Sequence, residues 1–173
     1  IDAPDILLMV SENVLVFDFK SLYPSIIRSF MIDPLGLTLD DDDQIPGFHG
    51  ATFSRDRPIL PELIGELWAS RDIAKQQNNI ALSQAIKIIM NSFYGVLGTS
   101  GCRFHNYKLA SSITRRGHEI IQHTRDQIES QGFSVIYGDT DSVFILLGSD
   151  YTYSGANQIG VQLVETLNAW WRE

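Results

Sequence analysis

The sequence is poor in the features that would place it outside ordinary globular chemistry. Cys102 is its single cysteine, so an intrachain disulfide and a cysteine-built metal cluster are both excluded, and a reducing, cytoplasmic setting fits. No uninterrupted apolar run is longer than Ile6–Val10, far short of the roughly 20 residues that span a bilayer. No basic-then-apolar leader opens the chain, so no export signal is expected. The first residue is Ile rather than Met, and the chain is expected to be a piece of a longer protein. One further absence is local. Between Ile73 and His118 there is no Asp or Glu, while Lys75, Lys87, Arg103, Lys108, Arg115 and Arg116 all fall there. The formal net charge of −8 would by itself argue against a nucleic-acid partner. An acid-free basic stretch inside so acidic a chain points instead to an anionic one. The run Asp40–Asp43 reads as a solvated loop tip.

A length of 173 residues suits one compact domain, or a core with one protruding subdomain, and 44% hydrophobic with 20% charged residues is an ordinary globular composition. "VLVFDF" (14–19) is a continuous apolar run and predicts a buried strand that ends in a carboxylate. "SLYPSIIRSF" follows as a helix, with Pro24 in its first turn, where proline is tolerated. Residues 33–57, rich in Asp, Gly and Pro, predict loop. Helical spacing runs from Pro61 to Gln77, breaks at Asn78-Asn79, and resumes from Ala81 to Tyr94. "GVLGTSGCRF" reads as a glycine-punctuated connection. An amphipathic helix is expected over 108–130, stopped by Gly132. "FSVIYGDTDSVFILL" has the pattern of a β-hairpin turning at Asp139–Asp141. Residues 154–172 predict a last helix, with Trp170-Trp171 as a plug for the core. The opening "IDAPDILLMV" matches no pattern.

If the strands at the two ends pair in one sheet, Asp18, Asp139 and Asp141 converge at one edge. Like carboxylates raise one another's pKa, and a divalent cation is the usual relief. The helices either side of Asn79 would form an antiparallel pair. Arg71 and Lys75 then share one face of the first, and Lys87 and Asn91 one face of the second. Asp72, three residues before Lys75, is a possible surface partner for it, whereas Lys87 has no acid within a turn. Each cation alone is as well explained as solvated surface charge. As a cluster they suit a polyanion of the size of a triphosphate.

Three stretches occur in order: "DFKSLYPSI" (18–26), "KIIMNSFYG" (87–95) and "YGDTDS" (137–142). They resemble the three polymerase motifs of family B (alpha-like) DNA polymerases, and the resemblance covers nearly the whole chain from Asn13 onward. It implies an α+β fold: an antiparallel palm sheet flanked by helices, with a projecting two-helix fingers hairpin. Residues 1–57 would form the first part of the palm, 58–97 the fingers and 98–173 the second part of the palm. The reaction implied is template-directed nucleotidyl transfer from a dNTP to a primer 3′-hydroxyl.

The roles implied are specific. Asp18 and Asp141 would bind two magnesium ions, with the backbone carbonyl of Phe19 as a further ligand and Asp139 in support. Amides near Ser21 and Leu22 would hold the triphosphate tail. Tyr23 would lie under the incoming sugar. Arg71, Lys75, Lys87 and Asn91 would line the fingers, and Tyr94 and Gly95 would pack near the nascent base pair. Gly138 would let the backbone bend toward the primer end. Partners would be primer–template DNA and dNTP, with no membrane, in the cytoplasm of a bacterium near the nucleoid. A sliding clamp would be reached through segments outside this chain. Only 17 residues precede Asp18 and no lysine follows Lys108, so the family's exonuclease, thumb and lysine-bearing palm motif are expected to lie outside it. Two rivals stand beside this reading: a non-catalytic nucleotide-binding module, and a two-metal nuclease, which would need neither Tyr23 nor the cation cluster.

Overall fold

A computed structural model describes residues 6–11, 14–40, 42–148 and 151–172. The chain divides into two compact units, Ile1–Leu22 with Gly117–Glu173, and Tyr23–Arg116. In the first, four strands form one antiparallel sheet: β1 (Ile6–Ser11), β2 (Val14–Phe19), β5 (Ser134–Asp139) and β6 (Ser142–Leu146), in the spatial order β1-β2-β6-β5. β2 spans the residues its sequence predicts, but it is not buried on both faces. Leu15, Phe17 and Phe19 are fully buried, whereas Val14, Val16 and Asp18 are only half-buried. The register explains the alternation. Phe17 faces Val143 and Leu15 faces Ile145, so the fully buried side chains share one face of the sheet. Each such burial is worth roughly 1.5–3 kcal/mol. Asp18, paired with Ser142, and Val16, paired with Phe144, lie on the other face.

Two helices contribute to this unit. α4 (Tyr107–Ser130) has its C-terminal half here, and α5 (Tyr153–Arg172) packs against β1 and β2. They meet where the Trp171 indole N–H donates to the Thr124 hydroxyl at 3.2 Å, with Trp170 stacked on His123. α4 stops as expected, with Gly132 taking the left-handed φ of 87° that a side chain would resist. In β5 the register slips between Val135 and Tyr137, leaving Ile136 as a bulge that sharpens the twist of this edge strand.

The second unit holds α1 (Leu22–Ser29) from Tyr23 onward, β3 (Gln44–Pro46), β4 (Thr52–Ser54), α2 (Ile59–Gln76), α3 (Ile80–Gly98) and the start of α4. Residues 33–57 are not wholly loop. β3 and β4 pair, burying Ile45 and Phe53. Their connection is held from afar, where the buried Ser112 hydroxyl accepts the Phe48 N–H at 3.0 Å. α2 and α3 pack as an antiparallel pair around Ala74, Ile86 and Met90. Asn79 caps α3 by accepting the Leu82 N–H at 3.1 Å. α3 runs past Tyr94 through Gly95 to Gly98, because Leu97 is buried and carries the helix on. By length and composition α3 could cross a membrane, and it is the one such helix among the described residues. Lys87 lies near its middle.

The start of α2 is held from outside. Its N-cap is Pro58, which makes no side-chain capping bond. The cap comes from Asp33, whose Oδ2 accepts the Leu60 N–H at 2.5 Å. The Oδ1 of the same carboxylate accepts the N–H groups of Leu35 at 2.7 Å and Gly36 at 3.1 Å.

Candidate active site

The candidate residues divide between the two units. In the first, the end of β2 lies beside the β5–β6 turn. The Phe19 N–H donates to the Asp141 carbonyl at 2.7 Å, and the Ser142 hydroxyl donates to Asp18 Oδ2 at 3.0 Å. These two bonds tie a carboxylate-bearing strand end to a carboxylate-bearing turn. Ser142 pairs with Asp18 on one side and Asp139 on the other. Asp18 and Asp139 are therefore two strand spacings apart, about 10 Å, on one face. A three-way meeting of Asp18, Asp139 and Asp141 is not what forms, because the register puts a serine between the outer two. Among the described residues no three Asp, Glu, His or Cys side chains gather into a group that could hold a metal ion. What the turn offers is Asp18, Asp141 and neighbouring backbone oxygen, a hard donor set.

β2 leads into α1 through Lys20 and Ser21. Ser21 adopts a left-handed φ of 54°, which turns the chain abruptly from strand to helix. The first N–H groups of α1 have no partners within the helix, and the dipole makes that end favourable to anions. Gly138 shows no left-handed φ, and a Cβ there would meet Ile121 Cγ2 at 3.6 Å, an ordinary contact. The expected backbone bend is not made at Gly138, because β5 places it in a regular pair with Val143.

In the second unit, Tyr23 packs its ring against Tyr94, with centroids 4.7 Å apart and planes tilted by 53°. Arg71 and Lys75 share a face of α2, and Lys75 Nζ pairs with Asp72 at 3.2 Å, the partner its spacing suggested. Lys87, Asn91 and Gly95 form an exposed stripe along α3. Arg71 stands five residues before the end of α2 and Lys87 seven after the start of α3, so their heights above the turn differ by only about 3 Å. A Cβ at Gly95 would meet no heavy atom within 4 Å.

Not every cation of the acid-free stretch faces outward for a ligand. The Arg116 guanidinium lies 4.5 Å from the Phe30 ring and 5.3 Å from the Phe48 ring, and it donates to the Pro46 carbonyl at 2.9 Å. Arg115 lies 6.0 Å from Phe48. Both arginines contact the β3–β4 segment, and Arg116 fastens it to α4. Ser142 and Asp33 had no role in the sequence reading. The signal for Ser142 was its place in "YGDTDS"; for Asp33 it was the missing capping side chain at Pro58.

The chain is 54% identical over 167 residues to DNA polymerase II of Escherichia coli (strain K12), covering 94% of this chain and 21% of that protein. It is 37% identical over 176 residues to the DNA polymerase alpha catalytic subunit of Oryza sativa subsp. japonica, covering 95% of this chain and 11% of that one. The family B DNA polymerase of the archaeon Pyrobaculum calidifontis superposes with a TM-score of 0.71 at 26% identity, over 95% of this chain and 23% of its own. The chain thus spans about a fifth or less of the length of these two sequence relatives. The family model described as DNA polymerase family B matches residues 8–172, the region that holds all three motifs and the carboxylate-bearing turn, and the chain belongs to that family.

Proposed function

We propose that this chain is the nucleotidyl-transfer core of a DNA-directed DNA polymerase, joining dNTP to a primer 3′-hydroxyl on a DNA template. In this reading residues 1–57 and 98–173 make the palm and 58–97 the fingers. One observation carries it: the end of β2, with Asp18, is bonded to the turn that bears Asp141. Family B polymerases use divalent metals, and the donor set here fits magnesium. Asp18, Asp141 and the Phe19 carbonyl would hold two ions, leaving other coordination positions for water and phosphate oxygen, as is usual for magnesium at nucleotide sites. When bound, such ions polarise the phosphate and favour the ionised hydroxyl.

The chain's own groups then have distinct tasks. The Ser142 hydroxyl fixes one oxygen of Asp18 and so orients its carboxylate. Amides near Ser21 and Leu22 bind the triphosphate tail at the start of α1. Arg71, Lys75, Lys87 and Asn91 hold the remaining phosphate charge, and their cations keep acting as it spreads in the transition state. Tyr23, braced by Tyr94, takes the place where a 2′-hydroxyl would stand. A clamp would bind through other segments of the full protein, working in a bacterial cytoplasm at the nucleoid.

The test is extension of a labelled primer–template with magnesium and the four dNTPs, run on this chain and on the full-length protein that carries it. The full-length protein should lengthen the primer, and Asp18→Asn or Asp141→Asn should abolish extension while leaving DNA bound. This chain alone should bind nucleotide weakly and sustain no synthesis. Shortening of the labelled strand by this chain alone would support the nuclease reading and overturn this one.

A further inference from the structure

The root of the α2–α3 pair has an unusual construction, and it bears on how the cations of the hairpin are placed. A helix start leaves four N–H groups unsatisfied, and a sequence ordinarily answers with Ser, Thr, Asp or Asn at the N-cap itself. α2 has Pro58 there, with no capping bond. Its cap is Asp33, 27 residues before Leu60, only 1% exposed and bonded to the Leu60 N–H. Burying a carboxylate is costly unless it is fully hydrogen-bonded. A local serine would stabilise the helix as well without that cost. What a remote cap adds is a fixed relation between α2 and the segment that carries the cap.

That segment is itself secured. The other oxygen of Asp33 closes the turn at Leu35 and Gly36, and the Gly36 carbonyl accepts the Ser54 N–H at 3.1 Å, which joins it to β4. Beside this polar anchor the packing is open. A cavity of about 370 Å³ lies at the root, lined by Ile59, Leu63, Phe93, Val96 and Phe104 as well as Asp33. A close-packed root would resist rotation on every side. This one is tied by Asp33 and packed through Leu60, Ile64 and Leu97 on one side, and has space on the other.

We infer that Asp33 is the fulcrum of the hairpin, a positioning residue that sets where Arg71 and Lys87 stand and about which the hairpin turns. The inference rests on the nucleotidyl-transfer reading. Arg71 lies eleven residues beyond Leu60, about 16 Å along the helix. A tilt of roughly 5° at the root displaces it by about 1.4 Å, and a misplacement of about 1 Å can cost on the order of 100-fold in rate. Asp33 touches neither nucleotide nor metal; it acts through the direction of α2.

The experiment uses the full-length protein, with single-turnover dNTP incorporation measured per active site alongside DNA affinity in the absence of nucleotide. Asp33→Ala should lower the incorporation rate at least about 10-fold and weaken dNTP binding several-fold, with DNA affinity changed less than about 2-fold. The double variant Asp33→Ala/Pro58→Ser gives α2 a local cap without the tie to the 33–36 turn, and it should keep the same defect. Recovery of rate in the double variant would overturn the inference, because capping alone would then suffice. So would a smaller active fraction with an unchanged rate per active site. Should Asp33→Ala fail to fold, Asp33→Asn still offers an acceptor to Leu60 while setting amide hydrogens against the 35–36 N–H groups. A rate about 3-fold or more below wild type supports the inference, and a wild-type rate overturns it. Absence of templated incorporation in the wild-type arm overturns the function reading itself, before any variant is scored.

Discussion

Gly95 lies within α3, exposed to solvent, and a Cβ built there meets no heavy atom within 4 Å. Its carbonyl accepts the Thr99 hydroxyl at 2.6 Å, a bond that alanine would keep. Replacing Gly95 by alanine therefore adds a methyl group into open space and removes the entropic penalty of glycine inside a helix. The gain expected is about 0.5–1 kcal/mol. For a chain of 173 residues this corresponds to a Tm rise of roughly 1–4 °C. In the proposed function the same open space is filled by the nascent base pair when DNA and dNTP bind. The methyl group should then collide with substrate, and single-turnover incorporation in the full-length protein should fall about 10-fold or more. Thermal unfolding of the chain and burst kinetics of the full-length protein measure the two effects separately. A lowered Tm would refute the reasoning about free space. A raised Tm with undiminished incorporation would refute the placement of this face of α3 against the base pair.

Three further outcomes follow from the same geometry. Lys87 is exposed, so Lys87→Ala should change stability by less than about 0.5 kcal/mol; steady-state kinetics should show a raised nucleotide KM and a lowered kcat, with DNA affinity without nucleotide unchanged. A parallel loss of DNA binding would make Lys87 a duplex contact instead. Tyr23→Ala removes the ring contact with Tyr94, worth about 0.5–1.5 kcal/mol, and competition assays should find ribonucleotide incorporation raised relative to deoxyribonucleotide; an equal loss for both sugars would reduce Tyr23 to packing. Gly47→Ala would drive a Cβ to 2.5 Å from the Phe53 ring and 2.8 Å from Ser112 Oγ, and denaturant unfolding should register a loss of about 1–3 kcal/mol.

Sequence pattern served well where period and burial agree. The amphipathic spacing over 108–130 and the glycine after it locate α4 to within one residue, because one helical face is buried and the stop is a backbone requirement. The run 14–19 locates β2, yet its continuous apolarity conceals that Val14 and Val16 lie on the less buried face with Asp18. β3 and β4 were illegible for a physical reason. Strands of three residues, one ending in Pro46, have almost no period to read, and their anchor at Ser112 lies 64 residues from Phe48. The glycines at 95 and 98 suggested a break, but the burial of Leu97 outweighs their propensity. At the candidate site the motifs point to the carboxylates, while their spacing to one another is set by register. Only the pairing of β2, β6 and β5 reveals that Ser142 separates Asp18 from Asp139 and bonds to the former. The Asp33 cap was hidden similarly: a single aspartate in a loop gives no sign of the helix it will close.

The bond between Ser142 and Asp18 joins residues 124 apart, and the greater part of the chain between them, Tyr23–Arg116, belongs to a separately packed unit. The entropy of closing so long a loop grows only with the logarithm of its length. Lengthening each helix of the α2–α3 pair by two turns would add roughly 14 residues and about 0.1 kcal/mol to that closure cost. The sheet is thus nearly indifferent to the size of what is inserted in it. Its carboxylate-bearing turn can stay constant while the reach of the hairpin is redesigned, so hairpins of different length could be exchanged without rebuilding the strands that hold Asp18 and Asp141.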